Sequence, residues 1–169
     1  MKLILSLLII LGLASCGYKP SSKFARDVMG EKISTSIVIS AKDPENTVII
    51  KDAVDEAVIK IFHASLCDKA SSDTHLTISI KSTSYTATVY DEDGYVTGYK
   101  MTVSLGIKRM HSGVSKDYTV SGTYDFTVDA DASVTDSERF DAISSASAKA
   151  IKSFVAVVSA EGARAQHQK

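Results

Sequence analysis

The sequence predicts an α+β two-layer sandwich, with a four-stranded, mostly antiparallel sheet and two helices on one of its faces, in the order β-α-β-β-β-α. Three observations carry this prediction: long runs of alternating apolar and polar residues, two amphipathic segments with apolar residues three and four apart, and turn residues between these elements. The chain has 169 residues, 44% of them hydrophobic and 23% charged. These proportions are typical of one globular domain.

The strands carry the clearest pattern. The strand from Tyr95 to Ile107 has a period of two, and from Tyr99 onwards all odd positions are apolar and all even positions are polar or glycine, so one face of this strand is predicted to contact the core. The preceding strand, 75–90, moves its apolar residues to the other parity midway, which predicts a β-bulge near residues 82–84. Two further strands are predicted over 33–40 and 115–127.

The turn at 91–94, Asp-Glu-Asp-Gly, connects the two longest strands. Its acidic residues suggest a calcium loop, but they lack the alternating ligands and the distal glutamate of an EF-hand. The sequence therefore favours a tight hairpin turn.

Two segments predict helices. Asp43 and Pro44 form a start signal, and apolar residues then recur three and four apart to about residue 68. Cys67 falls in this segment and is expected to be a small buried hydrophobe. Thr135 and Glu138 form a capping box that begins a second helix, whose apolar stripe continues to about residue 160.

The N-terminus predicts an export signal. Lys2 precedes an apolar run over 3–13, which is too short to span a membrane as a stable helix. Residues 13–16, Leu-Ala-Ser-Cys, resemble the lipobox of bacterial lipoproteins, which implies cleavage before Cys16 and acylation of its thiol. A plain secretory peptide with an incidental cysteine is the alternative.

These features divide the chain into four parts. Residues 1–15 are the predicted lipoprotein signal peptide and 16–32 a polar tether near the lipid. Residues 33–160 form the single α+β domain. Residues 161–169 are predicted to be a disordered tail.

Several function classes are disfavoured. Nineteen Lys and Arg residues are balanced by 20 Asp and Glu residues without a basic tract, which argues against nucleic acid as a partner. With Cys16 acylated, only Cys67 remains, so no intrachain disulfide is expected. The four histidines have no zinc-binding spacing, and no nucleophile elbow or phosphate-binding glycine loop occurs. We therefore predict a protein that is not an enzyme and uses neither a metal nor a cofactor.

Several stretches together resemble the LptE family of lipopolysaccharide-assembly lipoproteins. They are residues 16–18 (Cys-Gly-Tyr), the strand 76–80 (Leu-Thr-Ile-Ser-Ile), the hairpin over 90–105, and the order of elements. The resemblance implies a lipid-anchored protein on the periplasmic face of the outer membrane. Its partners would be lipopolysaccharide and the LptD β-barrel, which it would plug and help to assemble.

The polar face of the sheet is the predicted contact surface, because a plug in a polar barrel lumen needs a hydrogen-bonding exterior. Five basic residues lie on or near this face and are candidates for contacting the phosphates of lipopolysaccharide. A solvated face whose lysines prevent aggregation is the alternative for each of them. An accessory lipoprotein that activates a cell-wall synthase or pilots a secretin is the alternative function. The candidates are Lys100, Lys108, Arg109, Lys116 and Lys81.

Overall fold

A computed structural model of the chain describes residues 25–26, 28–38, 44–60, 64–129 and 132–167. Within these residues, five strands form one sheet and two long helices lie on one of its faces, so the two-layer α+β prediction is confirmed. The strands are Lys32–Val38 (β1), Ser65–Leu66 (β2), Thr74–Tyr90 (β3), Val96–His111 (β4) and Val114–Thr127 (β5), and the helices are Pro44–Lys60 (α1) and Asp136–His167 (α2).

The sheet is mixed, with the strand order β2-β1-β3-β4-β5. Strands β3, β4 and β5 form the predicted antiparallel meander, whereas β1 runs parallel to both of its neighbours. The prediction of four strands is therefore wrong, and the antiparallel description holds only in part. Helix α1 returns the chain to the end of the sheet where β1 begins, and both β2 and β3 start there. Such a crossover lets both strands run parallel to β1.

The extra strand β2 lies where the first helix was expected to continue. Helix α1 ends at Lys60, and the amides of Ser65 and Cys67 donate hydrogen bonds to the carbonyls of Glu31 (3.0 Å) and Ile33 (3.1 Å). A two-residue strand is too short to leave a periodic pattern in the sequence. Cys67 is thus half-buried beside β1 and does not lie in a helix.

The predicted tether and tail both belong partly to the fold. Ala25 and Met29 are fully buried, and the Met29 carbonyl accepts a hydrogen bond from the Thr74 hydroxyl, so the domain begins before residue 33. Helix α2 continues to His167, so a disordered tail from residue 161 is wrong for most of that segment. The signal peptide, Cys16, the N-cap Asp43 and residues 168–169 lie outside the described residues.

The core lies between the odd-numbered face of β4 and the helices. Met101, Val103, Leu105 and Ile107 are each 2% exposed or less, and they pack in one cluster with buried residues of α1 and α2. This confirms the predicted register of β4. The predicted bulge is also present, because the pairing of β3 with β4 shifts between residues 80 and 82.

The predicted turn and cap form as expected. A side-chain oxygen of Asp91 accepts hydrogen bonds from the amides of Asp93 (3.0 Å) and Tyr95 (2.8 Å), which closes the β3–β4 hairpin. At the start of α2, the Glu138 amide donates to the Thr135 hydroxyl (3.2 Å), and the Glu138 carboxylate accepts from the Thr135 amide (2.8 Å). These hydrogen bonds satisfy amides that a helix start leaves unpaired.

Candidate functional site

The outer face of β3, β4 and β5, opposite the helices, carries regularly spaced hydroxyl groups. Side chains of the three strands align in five rows across this face, which we call the hydroxyl face. The three inner rows contain only serine, threonine and glycine, and each end row contains a threonine, a lysine and an aspartate. The rows are Thr77–Lys108–Asp117, Ser79–Gly106–Thr119, Ser82–Ser104–Ser121, Ser84–Thr102–Thr123 and Thr86–Lys100–Asp125.

The two lysines of β4 lie at opposite ends of the hydroxyl face. Lys108 Nζ is 4.0 Å from Asp117 Oδ1, and Lys100 Nζ is 3.8 Å from Asp125 Oδ1. Eight residues separate the lysines, which corresponds to about 27 Å along an extended strand. One phosphate group therefore cannot contact both lysines.

Lys81 lies on the same face near Lys108. A methyl group at Gly106 would be 2.6 Å from Lys81 Cε, so the lysine side chain occupies the space that this glycine leaves open. Gly106 is two residues from Lys108, which places the two ammonium groups in one neighbourhood of the face. Among the described residues, Lys81 forms no ion pair.

Arg109 and Lys116 lie on the helix side of the sheet and not with these lysines. They face each other across β4 and β5, and Arg109 is 9% exposed. Its guanidinium is 5.8 Å from the centre of the Tyr118 ring, which is a cation–π distance. The sequence prediction places both residues near the turn that adjoins the hydroxyl face. They do lie near that turn, but on the opposite face of the sheet, so they do not share a surface with Lys81 and Lys108.

Lys116 helps to attach the end of α2 to the sheet. Its Nζ is 2.6 Å from Glu161 Oε1, and the Tyr118 hydroxyl donates to Glu161 Oε2 at 3.0 Å. Burial and then the hydrogen bond to Glu161 raise the pKa of Tyr118 to about 12. Burial raises the pKa of Glu161, but the hydrogen bonds from Lys116 and Tyr118 outweigh burial, so the net shift is downward. The Glu161 carboxylate is thus held ionised. It lies in the segment that was predicted to be a disordered tail.

A serine–histidine cluster on β1 and β3 is absent from the sequence prediction. Nδ1 of His75 is 2.7 Å from the Ser34 hydroxyl, and Nε2 is 3.0 Å from the Ser36 hydroxyl. Burial and then the charge of Lys69 lower the pKa of His75. Ser34 is 3% exposed, so a substrate cannot reach this hydroxyl in the folded chain. The cluster is therefore a structural hydrogen-bond network that connects two parallel strands.

The remaining chemistry of the described residues is sparse. In this part of the chain, no group of three or more His, Cys, Asp or Glu side chains is placed to bind a metal ion. The hydroxyl face, with Lys81 and Lys108 towards one end and Lys100 at the other, is thus the surface with the most distinctive chemistry.

Comparison with known proteins agrees with these features. The family model "LptE: Lipopolysaccharide-assembly" matches residues 34–157. This range includes β1 except for its first two residues, all of β2 to β5, and most of α2. The chain belongs to the LptE family. Among curated proteins, no sequence matches the chain.

Solved lipoprotein structures resemble this LptE-family chain in fold. A lipoprotein from Caulobacter crescentus has a TM-score of 0.52 and 10% identity, over 84% of this chain and 98% of that chain. Rare lipoprotein B from Shewanella oneidensis has a TM-score of 0.43 and 13% identity, over 81% and 94% of the two chains. At such low identity, the likeness to the Caulobacter structure supports the fold alone.

Proposed function

We propose that this chain is an outer-membrane lipoprotein that binds lipopolysaccharide and helps to assemble and plug the LptD barrel during lipopolysaccharide transport. The observation that supports the proposal best is the hydroxyl face, whose rows carry short polar side chains over three strands. Membership of the LptE family also supports the proposal.

The hydroxyl face suits the interior of a barrel for a physical reason. The lumen of an outer-membrane barrel is polar, so a plug must exchange hydrogen bonds with water for hydrogen bonds with the barrel wall. Serine and threonine can both donate and accept, and they have few rotamers to lose on contact. The inner rows can therefore dock without leaving a buried charge unpaired.

The neighbouring Lys81 and Lys108 fit a phosphate of lipopolysaccharide. Lys81 forms no ion pair among the described residues, and the ion pair of Lys108 is long at 4.0 Å in an exposed position. Neither lysine must break a strong contact before it binds an anion. Each charge-assisted hydrogen bond contributes about 1.5–3 kcal/mol.

Reversing both charges in the variant Lys81→Glu/Lys108→Glu should weaken the binding of lipopolysaccharide by tenfold or more, because about 1.4 kcal/mol corresponds to a factor of ten. The measurement is calorimetric titration of the full lipidated chain in detergent. The difference should shrink at about 1 M salt, where the Debye length falls to about 3 Å.

The matched control is Lys60→Glu/Lys152→Glu, which reverses two exposed charges on the helices. This variant should bind as the wild type does. Equal losses in both variants would indicate an effect of net charge and would remove Lys81 and Lys108 from the site.

Replacing Cys16 with alanine should abolish palmitate labelling and release the chain from membranes. The stabilisation lost is large, since each buried CH₂ of an acyl chain contributes about 0.8 kcal/mol. Cys67→Ala is the control and should keep both the label and the membrane association, because Cys67 lies beside β1. Labelling that persists without Cys16 contradicts lipidation at this residue.

The partner is tested by purifying the full chain from detergent-solubilised membranes of its own bacterium and identifying LptD in the eluate. Ser104→Arg places a bulky charge in the central row of the hydroxyl face and should prevent co-purification. Ala156→Arg introduces the same side chain at an exposed position of α2 and should not. Recovery of a peptidoglycan synthase or a secretin in place of LptD would contradict the proposal and support the alternative function.

A further inference from the structure

Among the described residues, one edge of β3 is open along its second half. Strand β1 pairs with β3 only from Thr74 to Ser79, because it ends at Val38. Strand β4 occupies the other edge along the whole hairpin. Within the described parts of the chain, no strand pairs with the free edge of residues 80–90.

This open edge is regular and unguarded over residues 82–87. Natural edge strands are guarded by charged residues, prolines, β-bulges or short length, and the pairing of β3 with β4 shifts after residue 80 and again over 87–90, on either side of this stretch. Residues 82–90, Ser-Thr-Ser-Tyr-Thr-Ala-Thr-Val-Tyr, contain no charged residue, proline or glycine, and most of their side chains are exposed. The charged residues that flank this stretch are Lys81, whose side chain lies across β4 over Gly106, and Asp91, whose carboxylate accepts hydrogen bonds from turn amides. The backbone of 82–87 therefore presents a regular template for another strand.

The two faces beside the open edge differ in chemistry. On one side, Ser82, Ser84 and Thr86 continue the hydroxyl face. On the helix side, the Tyr85 ring contacts Tyr99 edge-on, and Tyr99 stacks on Phe126, with 5.7 Å between ring centres in both pairs. Tyr85 is 47% exposed, so this aromatic row has uncovered apolar surface. A strand added at the edge would meet polar groups on one face and apolar groups on the other.

We infer that this edge pairs with one strand of the partner barrel before the barrel closes. A membrane-spanning β-strand has about 9–11 residues and alternates apolar and polar side chains. The alternation matches the two faces of the edge, and the regular stretch 82–87 is long enough to pair with part of such a strand. A strand of an unclosed barrel also has a free edge of its own, and main-chain hydrogen bonds can join the two. The inference rests on the proposed function and gives the mechanism by which the chain would assist barrel assembly.

Amide hydrogen exchange tests strand pairing directly. Urea-unfolded LptD is diluted into detergent with the full chain, and exchange is followed at single-residue resolution before and after complex formation. Alternate amides between residues 82 and 87 should exchange at least tenfold more slowly in the complex, because every second amide of this regular stretch of β3 points to the open edge. Docking through side chains alone would leave these amides fast and would overturn the inference.

Two neighbouring proline substitutions provide a second test. The variants are Thr83→Pro and Ser84→Pro. Neighbouring amides of a strand point to opposite edges, so one proline removes a hydrogen bond to β4 and the other removes an amide that faces the open edge. The variant that keeps the wild-type melting temperature is the informative one. It should lower the yield of folded LptD by about tenfold, whereas an unchanged yield would overturn the inference.

The outcomes separate this inference from the proposed function. If LptD co-purifies with the wild-type chain but the amides of 82–87 stay unprotected, only the edge inference fails. If LptD does not co-purify with the wild-type chain, the proposed function is contradicted, and so is the edge inference that rests on it. Protection of the same amides in the chain alone at high concentration would show pairing with a second copy and would also overturn the inference.

Discussion

The substitution Gly122→Ala is expected to destabilise the fold by about 3 kcal/mol, near the upper end of ordinary overpacking effects. A Cβ atom on Gly122 would lie 2.1 Å from the carbonyl oxygen of Ala146 and 2.4 Å from the amide nitrogen of Ala150. Both are backbone atoms of α2, so no side-chain rotation can relieve the clash. The helix must instead move away from β5 along the part of the sheet that it covers.

Gly106→Ala is the matched control, since it adds the same methyl group to the neighbouring strand on the other face. There the new atom would meet Lys81 Cε and Ser79 Oγ, which are the flexible parts of exposed or half-buried side chains. The expected loss is about 1 kcal/mol or less. Thermal unfolding measures both variants, and each kcal/mol corresponds to about 2–4 °C for a chain of this size. Similar shifts for the two variants would contradict the close helix–strand approach at Gly122.

The alternation of residues along the strands made much of the fold predictable. The run of odd apolar positions from residue 99 to 107 predicted the buried face of β4, and the change of parity in β3 predicted the bulge. The same rule, extended by one step, assigns Arg109 to the buried face, since 109 is odd. Closeness to the adjoining turn in sequence groups Arg109 with the lysines of the polar face, but the strand period decides on which face a side chain lies.

Features that depend on pairing between distant segments could not be predicted. Strand β2 has two residues, and the parallel direction of β1 depends on where the connection after α1 returns. The approach of Lys81 to Lys108 needs the register of β3 on β4, including the shift after residue 80. No local pattern contains that register. The sequence therefore predicted which residue types form the candidate site, but not which of them are neighbours.

The extension of α2 has a similar cause. Residues 161–167 contain few apolar side chains, which favoured a disordered tail. The helix continues because Glu161 is bound by Lys116 and Tyr118 of β5. Helices in proteins gain most of their stability from tertiary contacts, and these contacts are made by residues 43 to 45 positions away in the sequence.

Replacing Leu105 with aspartate should have the largest effect of all, a loss of about 4 kcal/mol or more, against a total stability of about 5–15 kcal/mol for an ordinary domain. Leu105 is fully buried and pairs with Ile80 and Val120 on the neighbouring strands. No cationic side chain lies beside it in this stretch of the sheet, so the new carboxylate would be buried without a partner. Burial disfavours the charged form, and the loss should therefore be smaller at pH 4 than at pH 8.

Ser104→Asp is the control because it introduces the same carboxylate one residue away, on the hydroxyl face. Ser104 lies between Ser82 and Ser121, where water and hydroxyl groups can solvate a charge. Its expected loss is about 1 kcal/mol or less, with little dependence on pH. Urea unfolding of both variants at pH 4 and pH 8 measures the difference. Two aspartates at adjacent positions can differ in this loss of stability only if one face of β4 is dry and the other is hydrated. Equal losses would mean that β4 does not divide core from solvent as described.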